Sequence, residues 1–319
     1  MKWSRLLIGL LLSLVYQLTS SADTTVKDFT LPSATNNSVI HLSDYGGKVV
    51  LINWWRTSCA WSQKESPKLV DLYKQYHDKG LVILGVSDDT SDSVGQIPAY
   101  LKRYGITWPI GLNDQGEFQR ELRPMDMGGT PGNLLVTRSG NLTTLGVDRS
   151  PETWDKLVAA VKQALDEKTP AAPSVPPRKL EPAPSLALPD LQGKNVVLGQ
   201  FVGKPLIVNF FTSQSCAWTG AVLSKLNQDY SGRGLQVVGI DLYDSDDAIK
   251  QCTGKYGAKY SVLRGDQPTQ MAWIGDNKGW ATFFVTHDGK VFKKIVDSIN
   301  NGIEDAVFTK YAEYLVVKR

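Results

Sequence analysis

Cysteine and histidine are scarce in this chain: three of each in 319 residues. Three cysteines exclude a disulfide-built scaffold, and the odd number leaves at least one thiol without an intrachain partner. His41, His77 and His287 are not spaced with a cysteine or carboxylate as a metal pair would be. There is no glycine-rich phosphate loop either, so neither a metal nor a cofactor is expected. An excess of one charge is also lacking. Lys and Arg number 35 against 32 Asp and Glu, a net charge of +3, which argues against nucleic acid or an anionic membrane as the main partner. Long apolar runs are absent beyond the N-terminus, so no membrane span is expected in the mature chain. A hydrophobic content of 42% with 21% charged residues excludes a disordered or collagen-like chain. The length itself suggests two domains.

Residues 1–22 read as a signal peptide. Lys2 and Arg5 form a positive start, and Leu6 to Val15 is an apolar run too short to span a bilayer comfortably. Ser20-Ser21-Ala22 supplies small residues for cleavage. The mature protein is therefore expected to be secreted, or periplasmic in a bacterium, in a space where disulfide chemistry operates.

The remainder is written twice. Residues 168–189 hold seven of the sixteen prolines, a composition that gives an extended, semi-rigid linker. On either side the same phrases recur in the same order. Gly47-Lys48-Val49-Val50-Leu51-Ile52-Asn53 is echoed by Gly203-Lys204-Pro205-Leu206-Ile207-Val208-Asn209, and Ser58-Cys59-Ala60-Trp61-Ser62 by Ser215-Cys216-Ala217-Trp218-Thr219. Leu134-Leu135-Val136-Thr137 answers Phe283-Phe284-Val285-Thr286. We read an internal duplication, with domains at 23–167 and 190–319.

Val49 to Trp54 is an unbroken apolar run, as a buried parallel strand shows. Ser62 to Lys79 has helical spacing and ends at Gly80; Leu81 to Val86 is a second buried strand, and 92–103 reads as helix. Asn133 to Thr137 and Thr143 to Val147 form a hairpin, and Pro151 to Glu167 a closing helix. The fold class is α/β, each domain a mixed central sheet flanked by helices. Asp88-Asp89 and Asp244 to Asp247 read as loop and helix-start charges.

A cysteine that follows a buried strand and opens a helix is the strongest chemical signal. Unpaired N–H groups and the partial positive charge of a helix start favour thiolate over thiol. Cys59 and Cys216 both hold that place. The alternative is that both are buried, inert cysteines.

These motifs resemble the TlpA-like (redoxin) thiol–disulfide oxidoreductases, secreted proteins of thioredoxin fold. The resemblance rests on Asp28-Phe29-Thr30-Leu31-Pro32, Asn53-Trp54-Trp55-Arg56-Thr57-Ser58-Cys59, Lys64-Glu65-Ser66-Pro67, Gly85-Val86-Ser87-Asp88 and Gly129-Thr130-Pro131. It implies Cys59 as nucleophile and Pro131 as a cis-proline beside it. Thr130 would then face the cysteine and pair with a bound peptide, with Trp61 lining the substrate cleft. Where the family has its second cysteine, this chain has Ser62 and Thr219. A hydroxyl hydrogen-bonds a thiolate but cannot resolve a mixed disulfide, so what remains is a monothiol site that depends on an outside thiol. Protein thiols or disulfides, or a small thiol, are the implied partners.

The second copy departs further. Trp280 stands at the position of Pro131, and the loop from Asn209 to Cys216 is one residue longer than that from Asn53 to Cys59. Trp280 is expected to pack on Trp218. Cys252 follows Cys216 by 36 residues, on a helix where some peroxiredoxins keep a resolving cysteine. A Cys216–Cys252 disulfide and a buried, unpaired Cys252 both stand as readings. Three functions follow: thiol–disulfide exchange through Cys59, a redox-inactive binding or scaffolding module, and, more weakly, a thiol peroxidase in the second domain.

Overall fold

The computed structural model describes residues 25–89, 94–114, 118, 122, 130–146, 150–171, 174–213, 215–275, 280–296 and 304–317. The expected signal peptide at 1–22 lies outside the described residues. The first half runs β1 (Thr30–Pro32), β2 (Val39–His41), β3 (Val49–Trp55), α1 (Ala60–Tyr76), β4 (Leu81–Ser87), α2 (Ile97–Tyr104), β5 (Ile110–Leu112), β6 (Gly132–Val136), β7 (Leu142–Gly146) and α3 (Pro151–Leu165). The second runs β8 (Ala187–Pro189), β9 (Asn195–Val197), β10 (Leu206–Phe211), α4 (Cys216–Tyr230), β11 (Gln236–Asp241), α5 (Asp246–Lys255), β12 (Ser261–Arg264), α6 (Gln267–Trp273), β13 (Ala281–Val285), β14 (Val291–Val296) and α7 (Glu304–Val317).

The two sheets share one order, β5-β4-β3-β6-β7 and β12-β11-β10-β13-β14. Each central strand is buried along its whole length, because it is covered on both faces, and that is why both read as continuous apolar runs. Register repeats as well. Asn53 sits opposite Gly85 and Asn133, and Asn209 opposite Gly239 and Thr282. Gly85 and Gly239 make room for the ring on the neighbouring strand. A Cβ at Gly85 would lie 3.0 Å from Trp55 Nε1, and one at Gly239 3.0 Å from Phe211 Cε1. The duplication is thus one of packing as well as of sequence. Helix α2 begins at Ile97, with a proline in its first turn; residues 90–93 lie outside the described residues.

Described residues of the proline-rich stretch are tied to both domains. Val175 is buried in the first domain's core with Val50 and Ile52. Gly47 N–H donates to Ser174 Oγ (3.1 Å) and Arg178 N–H to Asp28 Oδ2 (3.0 Å). Further on, Val291 N–H donates to the Glu181 carbonyl (2.8 Å) and Ala183 N–H to that of Gly289 (2.8 Å). Its last residues form β8, which pairs with β9.

The domains meet through a buried polar cluster. Lys293 of β14 lies 2.8 Å from Asp114, and neither side chain is exposed. Lys293 also donates to the Thr30 carbonyl (2.8 Å), and the Tyr311 hydroxyl of α7 donates to Asp114. Burial, then the Asp114 charge and its hydrogen bond, push the Tyr311 phenol well above its ordinary pKa. Around this cluster His41 packs edge-on against Phe292, which stacks on Tyr314. Helix α7 therefore buries two stripes, Val307-Tyr311-Leu315 and Phe308-Ala312-Val316. Helix α3, at the equivalent place in the first domain, buries only Leu157, Val161 and Ala164.

Candidate active site

Strand β3 delivers Arg56, Thr57 and Ser58 into a short loop that ends on Cys59, the N-cap of α1. The loop is held from beneath by two aspartates that follow β4. Asp89 is fully buried; it accepts from Thr57 N–H (3.1 Å), Thr57 Oγ1 (2.6 Å) and Ser87 Oγ (2.8 Å). Asp88 pairs with Arg56 and accepts from Asn113 Nδ2 (2.9 Å). Gln63 Nε2 donates to the Thr57 carbonyl (3.0 Å).

Cys59 is a free, half-buried thiol. The Thr130–Pro131 peptide is cis, and the Cys59 thiol donates to the Thr130 carbonyl at 3.3 Å. Ser62 is buried, with its Oγ accepting from Arg56 N–H (3.4 Å). Partial burial pushes the Cys59 thiol up. The Ser62 N–H, the hydroxyls of Ser62 and Thr130, and the Trp61 N–H outweigh this and hold it below its ordinary pKa. Trp61 is 40% exposed, with Lys64 Nζ 4.5 Å from its ring centre. Cys59, Ser62, Trp61, Thr130 and Pro131 therefore stand around one end of α1. Trp54 and Trp55 lie in the core.

Behind them lies a buried carboxylate. Glu65 accepts from Asn53 Nδ2 (2.9 Å) and Asn133 Nδ2 (2.7 Å), and Asn53 also donates to Asn133 Oδ1 (3.0 Å). Glu65 follows Ser62 by three residues on the same face of α1. Its sequence neighbourhood carries the family motif, but nothing in the sequence announces that it is buried.

In the second domain Cys216 is joined to Cys252 of α5 by a disulfide with a Cα separation of 6.2 Å. Both are buried, so Cys216 stands here as half of a disulfide and not as a free thiol. Trp280 is half-buried at the position of Pro131, while the side chain of Trp218 lies outside the described residues. The polar centre is neutral. Asn209 Nδ2 donates to Thr282 Oγ1 (2.9 Å), Thr219 Oγ1 donates to Asn209 Oδ1 (3.4 Å), and Val222 takes the place of Glu65.

The loop brace is repeated. Asp244 accepts from Ser213 N–H and from Ser213 Oγ (2.9 Å), as Asp89 does from Thr57. Asp241 replaces Ser87 below it. Burial first, and the adjoining Asp244, raise the Asp241 carboxyl to about 6, while the bonds from Ser213 hold Asp244 low. Asp89 and Asp244, read from the sequence as loop charges, are thus anchors of their loops. Asp246 and Asp247 do lie in the first turn of α5. The signal for the anchors was in the repeat: an aspartate shortly after the second strand in both copies. Among the described residues no group of three or more His, Cys, Asp or Glu side chains is placed to hold a metal ion.

The AhpC/TSA family profile matches residues 22–144 and again 180–293, well over half of the chain. Among curated proteins the chain is similar to thiol-disulfide oxidoreductase ResA of Geobacillus kaustophilus. The two are 30% identical over 118 residues, 37% of this chain and 64% of that protein. It is also similar to ResA of Bacillus thuringiensis subsp. konkukian, at 28% over 103 residues, 32% of this chain and 57% of that protein. The matches span less than two thirds of these relatives' length. Among solved structures, a thiol:disulfide interchange protein of the thioredoxin family from Chlorobium tepidum covers 44% of this chain and 99% of its own, with 22% identity and a TM-score of 0.40.

Proposed function

The chain belongs to the AhpC/TSA family, and from that membership we propose that it is an exported thiol–disulfide exchange protein working through Cys59 as a monothiol nucleophile. The observation that carries this reading is the placement of a free thiol at the start of α1, beside a cis-proline and opposite Ser62 instead of a second cysteine. The Cys59 thiolate attacks one sulfur of a protein disulfide. A Cys59–substrate bond forms, and the electron pair leaves on the other substrate sulfur. No second thiol of this site can attack that mixed disulfide, so an outside thiol releases it. The Thr130 backbone beside Pro131 offers a strand-like edge to the substrate peptide, and Trp61 offers an apolar face with Lys64 at its rim. The ResA relatives, named as thiol-disulfide oxidoreductases, support the chemistry; the expected signal peptide supports an exported location.

The test is a trapping experiment on the oxidised chain with a disulfide-bearing peptide. A mixed disulfide that maps to Cys59, accumulates without added thiol and clears when glutathione is added agrees with the proposal. Equal capture by the Cys59→Ala chain would overturn it.

A further inference from the structure

The loop that carries Cys59 is tied to the second domain through two consecutive residues that follow β5. Asn113 and Asp114 are both buried. Asn113 serves the site. Its N–H donates to the Ser87 carbonyl (2.9 Å) and its Nδ2 to Asp88 Oδ1 (2.9 Å). Asp88 in turn pairs with Arg56, whose Nε donates to the Asp88 carbonyl (3.0 Å). The Arg56 backbone then meets the surroundings of the thiol at two points. Its N–H donates to Ser62 Oγ (3.4 Å), and its carbonyl accepts from Cys59 N–H (3.2 Å). Asp114 serves the interface, where it pairs with Lys293 and accepts from Tyr311 of the second domain. Away from water such bonds are strong and tolerate little displacement. The repeat shows what the two residues add. Ile110 lies opposite Gly85 and Val262 opposite Gly239, so Asn113 and Asp114 correspond to Gly265 and Asp266. Gly265 has no side chain to contribute, and a Cβ there would lie 2.9 Å from the Asp241 carbonyl. Asp266 acts within its own domain, accepting from Thr269 N–H (2.8 Å) at the start of α6. At these two positions the second copy makes no such link.

We propose that Asn113 and Asp114 are positioning residues through which the second domain holds the Cys59 loop in its reactive geometry, an inference that rests on the reading of Cys59 as the nucleophile. Lys293 and Tyr311 fix Asp114. The adjoining Asn113 fixes Asp88, and with it Arg56. Arg56 sets where the Ser62 hydroxyl and the Cys59 backbone stand, and so how well the thiolate is met by its donors. The second domain thus supports the chemistry of the first without placing a residue of its own at the thiol. Coupling of this kind needs a contiguous set of packed and hydrogen-bonded groups, and the residues from Lys293 to Ser62 form one.

The experiment uses the full chain without denaturant and reads the pH midpoint for alkylation of Cys59 by mass spectrometry. Asn113→Leu cuts the link at the site end. At the interface end, Asp114→Leu, Lys293→Met and Tyr311→Phe are combined in one chain. That set keeps the net charge and replaces a buried pair by apolar groups, a change often neutral for stability. Each of the two chains should raise the midpoint by about half a pH unit, toward that of free cysteine, as the donors to the thiolate drift from it. Joining all four substitutions should raise it no further than the larger single effect, because both ends act on one chain of contacts. Asp266→Ala, at the position corresponding to Asp114, removes a helix cap from the second domain and should leave the midpoint where it is. Either altered chain decides the matter if the other does not fold. An unchanged midpoint in a folded chain, additive shifts, or an equal shift in Asp266→Ala would overturn the proposal. Absence of a mixed disulfide on Cys59 of the unaltered chain would overturn the exchange reading instead, since the midpoint is measured without any substrate.

Discussion

The two domains share a sheet order, a register and a loop brace, yet they treat their first cysteine in opposite ways. In the first, Cys59 is free, faces a cis-proline and backs onto the buried carboxylate of Glu65. In the second, Cys216 is bonded to Cys252, Trp280 stands at the position of the cis-proline, and Val222 replaces the carboxylate beside a neutral Thr282–Asn209–Thr219 chain. One backbone therefore supports a thiol site and a disulfide site. The few positions around the helix start decide which, and the sheet beneath is indifferent to the choice.

The sharpest way to break this comparison is to remove Cys59. Cys59→Ala should abolish mixed-disulfide trapping with a disulfide-bearing peptide, whereas Cys252→Ala should leave trapping at Cys59 in place, both read by mass spectrometry. Next in size is the contact between the domains. Lys293→Met strands the buried Asp114 carboxylate, and losing one partner of a buried pair costs about 3–5 kcal/mol. Urea unfolding should show that loss; an unchanged midpoint would mean that the cluster contributes nothing.

A smaller effect tests the exchange of centres. Glu65→Val takes the carboxylate acceptor from the Asn53 and Asn133 amides, leaving Asn53 only its bond to Asn133 Oδ1, at a cost of roughly 2 kcal/mol. Val222→Glu should also destabilise, since it buries a carboxyl beside side chains already paired with each other. Smaller still is a pH effect confined to the second domain. Asp241 binds its proton more tightly folded than unfolded, so its contribution is present below the ordinary carboxylate pKa and lost as pH rises through about 6. Stability measured across that range should fall as pH rises, and Asp241→Asn should flatten the curve. Finally, the pH midpoint for alkylation of Cys59 should lie below that of free cysteine and rise in Ser62→Ala, which removes one donor to the thiolate.

Much of this was legible in order and pattern. The repeat placed Cys59 and Cys216 at equivalent strand–helix junctions, and the apolar runs located the central strands to within a residue or two. The cysteine helix was expected from Ser62 and starts at Ala60, because the helical spacing of apolar residues becomes visible only after the first turn. Asp89 and Glu65 were readable as letters but not as anchors. An aspartate after a strand is exposed in most loops, and only the return of the chain beneath Thr57 buries this one. The proline-rich stretch read as a spacer because composition reports stiffness. What pins it, Val175 in the core and backbone N–H groups that meet acceptors in both domains, depends on surfaces far away in sequence.

By itself the sequence determined the α/β class, the duplication, the two cysteine positions and the missing second cysteine of each motif. These are local matters of periodicity, composition and spacing, and a short stretch of chain carries each in full. The tertiary structure alone decided that Lys293 is buried against Asp114, that α7 buries two stripes, and that Cys216 is bonded to Cys252. Those outcomes turn on groups tens to hundreds of residues apart coming within hydrogen-bonding or van der Waals reach. Desolvation and pairing have no value until the chain has brought both partners to the same place.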